Sequence, residues 1–91
     1  MEHIIAELRE EPYAHAFLEP VDYIAMNIPT YPKIVENPMD LGTLQDFVES
    51  GQVSETTDFL QKLQLIWNNC KLFNAKESAI FRFACNMERV T

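Results

Sequence analysis

The side chains that could take part in catalysis or metal binding are few and widely separated in this 91-residue sequence. His3, His15, Cys70 and Cys85 are the only histidines and cysteines, and no two of them have the close spacing of a zinc ligand pair. There is no glycine-rich phosphate loop and no motif that pairs a nucleophile with a base. The sequence therefore predicts no enzyme, and it gives no reason to expect a metal ion or another cofactor.

The composition is that of one small domain with an acidic surface. Apolar residues make up 47% and charged residues 23% of the chain, as in ordinary globular domains. Fourteen acidic against seven basic residues give a net charge of −7, and the basic residues form no stripe that could hold nucleic acid. The excess acid either keeps a small domain in solution or attracts Lys/Arg-rich protein segments. No apolar run is long enough to span a membrane. Two cysteines in apolar helical patterns fit a reducing compartment without a disulfide framework.

The spacing of apolar residues predicts four helices, and no segment alternates in the way of a strand. The first helix is centred on residues 4–8. The second follows an N-cap at Asp40 and stops at Gly51. The third carries a long apolar stripe over residues 59–73, and the fourth follows a cap at Ser78 and runs to the end of the chain. The sequence thus predicts an all-α bundle without internal repeats or an interdomain linker.

Residues 15–38 have neither a helical nor a strand period, and they include four prolines but no glycine. The apolar residues of this stretch are Phe17, Leu18, Val21, Tyr23, Ile24, Met26, Ile28, Tyr31, Ile34 and Val35. A solvated linker would not carry so many apolar side chains. We therefore expect a long ordered loop that packs against the helices.

Two motifs in this pattern resemble a known family. The first runs from Asn27 through Pro-Met-Asp-Leu at 38–41 to Thr43, and the second is Asn-Cys-Lys-Leu-Phe-Asn at 69–74. In combination they closely resemble a bromodomain, a left-handed four-helix bundle of helices Z, A, B and C that binds acetylated lysine. The resemblance covers nearly the whole chain from Pro12 onward. We therefore expect residues 1–91 to form a single bromodomain-like module, excised from a longer protein.

The resemblance also implies which residues bind the modified lysine. Asn74 would anchor the acetyl carbonyl through its uncharged carboxamide, and Tyr31 would hold the same oxygen through a water. The remaining positions implied for the pocket are Phe17, Val21, Met26, Ile28, Cys70, Phe73 and Ile80. Each residue keeps a second interpretation, since Asn74 could simply occupy a turn or cap a helix and the others could be packing residues.

The sequence departs from the family pattern beside the predicted pocket. His15-Ala16-Phe17 stands where the family has a Trp-Pro-Phe shelf, so the groove there should be more open and more polar. Phe73 replaces a common tyrosine, and Pro32 follows Tyr31 where another residue is usual. These changes place the choice of partner in question more than the activity.

The implied function is non-catalytic recognition of acetylated lysine in histone tails or other nuclear proteins. Such a module would recruit its parent protein to acetylated chromatin in the nucleus. We expect it to be monomeric and to bind neither nucleic acid directly nor a membrane. The alternative is a bromodomain-fold scaffold for protein–protein interaction with weak or no acetyl-lysine binding, which the altered shelf favours. Four acidic residues near the expected mouth would attract basic tails, namely Glu19, Asp22, Glu36 and Glu77.

Overall fold

The computed structural model describes all 91 residues and contains helices but no strand. The α-helices are α1 (Glu2–Arg9), α2 (Tyr31–Ile34), α3 (Leu41–Glu49), α4 (Thr56–Phe73) and α5 (Ala79–Val90), and a 3₁₀ helix spans Ala14–Phe17. Four of these, α1, α3, α4 and α5, are the helices that the apolar spacing predicts. The all-α bundle is therefore confirmed, with two short helical turns added inside the long loop. None of the helices combines the length and the apolar character needed to cross a membrane.

The helix ends are set by the capping residues that the sequence indicates. Asp40 begins α3, where its Oδ2 accepts from the backbone N–H of Thr43 at 2.9 Å and its Oδ1 accepts from the Thr43 hydroxyl at 2.6 Å. Just after α3, Gly51 adopts φ of 82°, a left-handed conformation that glycine takes without steric cost. The hydroxyl of Ser78 accepts from the N–H of Phe81 at 3.3 Å and starts α5. These three caps confirm the predicted helix boundaries.

The core forms around α4, whose apolar stripe is buried by α3 and α5. Phe59, Leu63 and Trp67 are completely buried, and Ile66 is 2% exposed. Trp67 lies edge-on to Phe17 of the 3₁₀ helix, with ring centroids 5.2 Å apart. This contact connects the start of the long loop to the central helix and makes Trp67 part of the core.

The long loop packs against the helices, as expected, but only with part of its apolar side chains. Phe17, Tyr31 and Val35 are buried, whereas Ile24 is 81% and Met26 59% exposed. The reason is local: residues 22–28 close turns on themselves through their own backbone hydrogen bonds. Because those turns satisfy the backbone without the bundle, side chains on their outer side project into solvent.

The loop is fastened to α3 by a close approach of two backbones. The N–H of Gly42 donates to the carbonyl of Leu18 at 3.1 Å. A Cβ atom at position 42 would lie only 2.6 Å from that carbonyl oxygen. Only glycine fits there without displacing the loop, so this residue fixes where the 3₁₀ helix lies relative to α3.

Candidate functional site

Asn74 lies immediately after α4, at the point where the chain leaves the helix. Its backbone is extended, with φ of −97° and ψ of 149°. The backbone N–H and the side-chain Nδ2 both donate to the carbonyl of Cys70, each at 3.0 Å. Nδ2 also lies 3.6 Å from the Sγ of Cys70. A carboxamide nitrogen carries two hydrogens and sulfur is a weak acceptor, so the second hydrogen can turn to a stronger acceptor that enters the site.

Tyr31 begins the one-turn helix α2 and is only 8% exposed. Its ring lies edge-on to Phe73 at a centroid distance of 4.9 Å and stacks with Tyr23 at 6.3 Å. Burial raises the pKa of Tyr31 above its usual value, and the neighbouring Cys70 and Asp40 act in the same direction. The phenol therefore stays protonated at neutral pH and can both donate and accept a hydrogen bond.

These two residues share one cavity between the long loop and the ends of α4 and α5. The cavity holds about 530 Å³ of empty space, part of it open to solvent, and 11 of its 15 lining residues are hydrophobic. The structure brings all the sequence-predicted site residues together in its lining: Phe17, Val21, Met26, Ile28, Tyr31, Cys70, Phe73, Asn74 and Ile80. An apolar cavity with a few polar groups is the usual form of a small-ligand site.

Six further residues line the cavity that sequence reasoning did not assign to it. They are Ala16, Glu19, Met39, Asp40, Ile66 and Asn69. The sequence analysis places Ala16 on the shelf and Glu19 near the mouth, and Met39, Asp40 and Asn69 belong to the two family motifs, so a signal was available for these five. Ile66 lies on α4, where the sequence pattern marks a core stripe and does not show that its end turns toward a cavity.

Cys70 closes the floor of the cavity as a neutral thiol. Its Sγ donates to the carbonyl of Ile80 at 3.3 Å and so links α4 to the start of α5. Burial raises the pKa of Cys70 to about 11, although the hydrogen bond with Asn74 opposes the shift. Both cysteines of the chain are free, and no group of three or more His, Cys, Asp or Glu side chains lies close enough to hold a metal ion.

Two polar residues of the lining are occupied by structural hydrogen bonds. Asn69 is 7% exposed, and its Nδ2 donates to the carbonyl of Asn37 at 2.8 Å, which attaches the loop to α4. Asp40 is 4% exposed and caps α3 through both carboxylate oxygens. Asn74 therefore differs from Asn69 although both are asparagines of the same motif: Asn69 bonds across to the loop, whereas Asn74 bonds only to Cys70 within its own turn.

The shelf beside the cavity is small, in accordance with the His15-Ala16-Phe17 sequence. Ala16 is half-buried and contributes only a methyl group to the lining. His15 is exposed, lies edge-on to Phe83 at 5.7 Å, and has its Nδ1 3.2 Å from the carbonyl of Pro12. It lines a neighbouring polar groove and not the cavity. The missing tryptophan thus leaves this side of the cavity open.

The comparisons with known proteins all point to the same family. The Bromodomain family model matches residues 1–86. The chain is 40% identical over 77 residues to the SWR1 complex bromodomain subunit bdf1 of Schizosaccharomyces pombe, which covers 85% of this chain and 13% of that protein. It is 38% identical over 78 residues to bromodomain-containing factor 1 of Candida albicans, with 86% of this chain and 11% of that protein covered.

A plant protein matches over an even larger part of the chain. The transcription factor GTE11 of Arabidopsis thaliana is 31% identical over 88 residues, which is 97% of this chain and 14% of that protein. The chain thus spans about one eighth of the length of the relatives that it matches. The family model, the helical bundle and the shared motifs agree, and the chain belongs to the bromodomain family.

Proposed function

We propose that this domain binds acetylated lysine side chains of other proteins in the cavity beneath the long loop. The observation that carries the proposal is the carboxamide of Asn74 at the wall of a mainly apolar cavity, where its Nδ2 contacts only the carbonyl and the weakly accepting sulfur of Cys70. In the proposed complex, Nδ2 donates to the acetyl carbonyl. The hydroxyl of Tyr31 holds the same oxygen through a bridging water.

The chemistry of the cavity favours an acetyl-amide over an unmodified lysine. An ammonium that enters an apolar cavity without a partner loses its hydration, which costs several kcal/mol. The carboxylate of Asp40, the buried acid of the lining, already accepts two hydrogen bonds from Thr43 as the cap of α3. Acetylation removes the positive charge and creates a carbonyl acceptor. The modified side chain therefore avoids the cost of dehydrating a charge and can accept a hydrogen bond in the cavity.

The expected affinity is low. Burial of an acetyl-butyl chain contributes roughly 2–3 kcal/mol and one hydrogen bond about 1 kcal/mol, before the loss of freedom on binding. We expect Kd values on the order of 10 µM to 1 mM for singly acetylated peptides. Nanomolar affinity for such a peptide would contradict the mechanism.

The partners that we propose are acetylated histone tails and other nuclear proteins. Support comes from the names of the relatives, one of which is a bromodomain subunit of the SWR1 complex and another a transcription factor. The domain would act without catalysis in the nucleus, as a monomeric module that recruits the protein containing it to acetylated chromatin. The surface charge of −7 fits a basic partner and disfavours direct contact with nucleic acid.

A titration followed by NMR tests the proposal. Acetylated histone peptides should shift the resonances of Tyr31, Asn74 and Ile80 at sub-millimolar to millimolar concentration, and the same peptides without acetylation should not. The altered shelf favours a second candidate, a bromodomain-fold scaffold that binds other proteins through its surface. Absence of any acetyl-dependent shift at these three residues would support that scaffold and refute acetyl-lysine binding.

A further inference from the structure

Two carboxylates line the cavity, and they differ in what surrounds them. Asp40 is 4% exposed, and both of its oxygens accept hydrogen bonds from Thr43 at 2.6 and 2.9 Å. Glu19 is exposed, follows the 3₁₀ helix, and takes part in none of the three ion pairs of the chain. Glu19 is therefore the exposed carboxylate of the lining that no ion pair engages, whereas Asp40 is buried and caps α3.

Glu19 also lies where the cavity meets the neighbouring polar groove. That groove is formed by the end of α1, the residues after the 3₁₀ helix and the first turns of α3. Its one arginine, Arg9, is held by Gln45, with Nη2 2.8 Å from Oε1. The small side chain of Ala16 leaves this boundary uncovered. A protein segment that enters the cavity can thus extend past the Glu19 carboxylate.

We propose that Glu19 determines specificity by selecting a positively charged lysine or arginine close in sequence to the acetylated lysine. The inference rests on the proposed function, because it concerns the neighbours of the residue that fills the cavity. A neutral neighbour would remove water from the carboxylate without replacing its interactions, and an acidic neighbour would be repelled. A cationic neighbour offsets that loss, and exposed pairs of this kind change affinity by about 1.4- to 5-fold.

The test compares matched peptides on matched variants. Each peptide carries one acetylated lysine in a neutral sequence, with a single arginine or a single glutamine at each of the three positions on either side. Binding is measured by calorimetry or NMR on the wild-type domain, on Glu19→Gln and on Glu55→Gln. Glu55 precedes α4, at the end of that helix opposite Asn74, and it is exposed, lines neither the cavity nor the groove and forms no ion pair, so its variant removes the same charge elsewhere.

We expect arginine to improve binding about two- to fivefold at one or two positions. Glu19→Gln should abolish that preference, Glu55→Gln should retain it, and salt near 0.5 M should weaken it. Equal preference in Glu19→Gln and wild type, equal loss in both variants, or no preference at any position would overturn this inference while acetyl-dependent binding remained. If the wild-type domain bound each peptide equally well with and without the acetyl group, the proposed function and this inference would both be overturned.

Discussion

The two asparagines of the second motif should fail in different ways when each is replaced by alanine. Asn74→Ala removes the donor that we propose for the acetyl carbonyl. Loss of such a bond, with the partner left unsatisfied, costs about 1–3 kcal/mol and weakens binding by roughly 5- to 150-fold. An initial Kd near 100 µM would move to about 0.5 mM or beyond. Asn74→Asp should lose binding as well, because an ionised carboxylate of the same shape accepts but does not donate.

The fold should tolerate the loss of the Asn74 side chain. The carbonyl of Cys70 that its Nδ2 contacts also accepts the backbone N–H of residue 74, and alanine retains that bond. We therefore expect the free energy of unfolding to fall by no more than about 1 kcal/mol. Urea unfolding measures the change in the free energy of unfolding, separately from the binding assay.

Asn69→Ala is the matched control, since it deletes a carboxamide from the same cavity. Its Nδ2 donates to the carbonyl of Asn37, and the side chain is 7% exposed. The carbonyl left without this donor should reduce stability by about 1–3 kcal/mol. A domain of this size has on the order of 5–14 kcal/mol of stability, so the variant remains folded and should keep most of its affinity. Wild-type-like binding by Asn74→Ala, or equal loss of binding by both alanine variants, would refute the reasoning.

Three other outcomes follow from the packing. Gly42→Ala should reduce the free energy of unfolding by about 1–3 kcal/mol in urea, because its Cβ would lie 2.6 Å from a loop carbonyl oxygen; an unchanged midpoint would contradict that clash. Iodoacetamide at pH 7.5 should alkylate the half-buried Cys85 before Cys70, because burial raises the pKa of Cys70 to about 11 and leaves little reactive thiolate. Peptide mass spectrometry measures the order, and earlier alkylation of Cys70 would contradict this prediction. The hydrogen bond from Lys71 lowers the pKa of Glu88, so this pair stabilises the fold above about pH 4.3 and loses its effect as pH falls through the lowered value. Glu88→Gln should accordingly cost stability at pH 7 and little at pH 3, and an equal cost at both pH values would speak against the pair.

Helical parts of the fold could be predicted because one local pattern controls each of them. The stripe of α4 is buried as its spacing indicates, and the caps at Asp40 and Ser78 have the predicted hydrogen bonds. A capping side chain acts within three residues of its own position, so the sequence contains the interaction. The same holds for the left-handed turn at Gly51.

The arrangement of the loop could not be predicted in the same way, because tertiary contacts decide which of its side chains are buried and which are exposed. Phe17 and Met26 are both apolar loop residues, yet Phe17 packs on Trp67 and is 6% exposed, whereas Met26 is 59% exposed. No spacing distinguishes them. The asparagines at 69 and 74 present the same difficulty. Only the three-dimensional positions of the Asn37 and Cys70 carbonyls show that the Asn69 side chain bonds to the loop and the Asn74 side chain to its own turn.

Two hydrogen bonds between the loop and the helices explain how one cavity can keep the same acetyl-lysine site while its choice of partner varies. The bonds from Gly42 to Leu18 and from Asn69 to Asn37 hold the two ends of the loop against α3 and α4. Tyr31, which we propose to hold the acetyl oxygen through a water, is buried in the part of the loop near the second of these bonds, so a change there also affects the fold. The exposed middle of the loop and the rim at Glu19 make no such bonds to the helices. Sequence changes there can alter which protein segment binds at little cost in stability, and the altered shelf lies beside that rim.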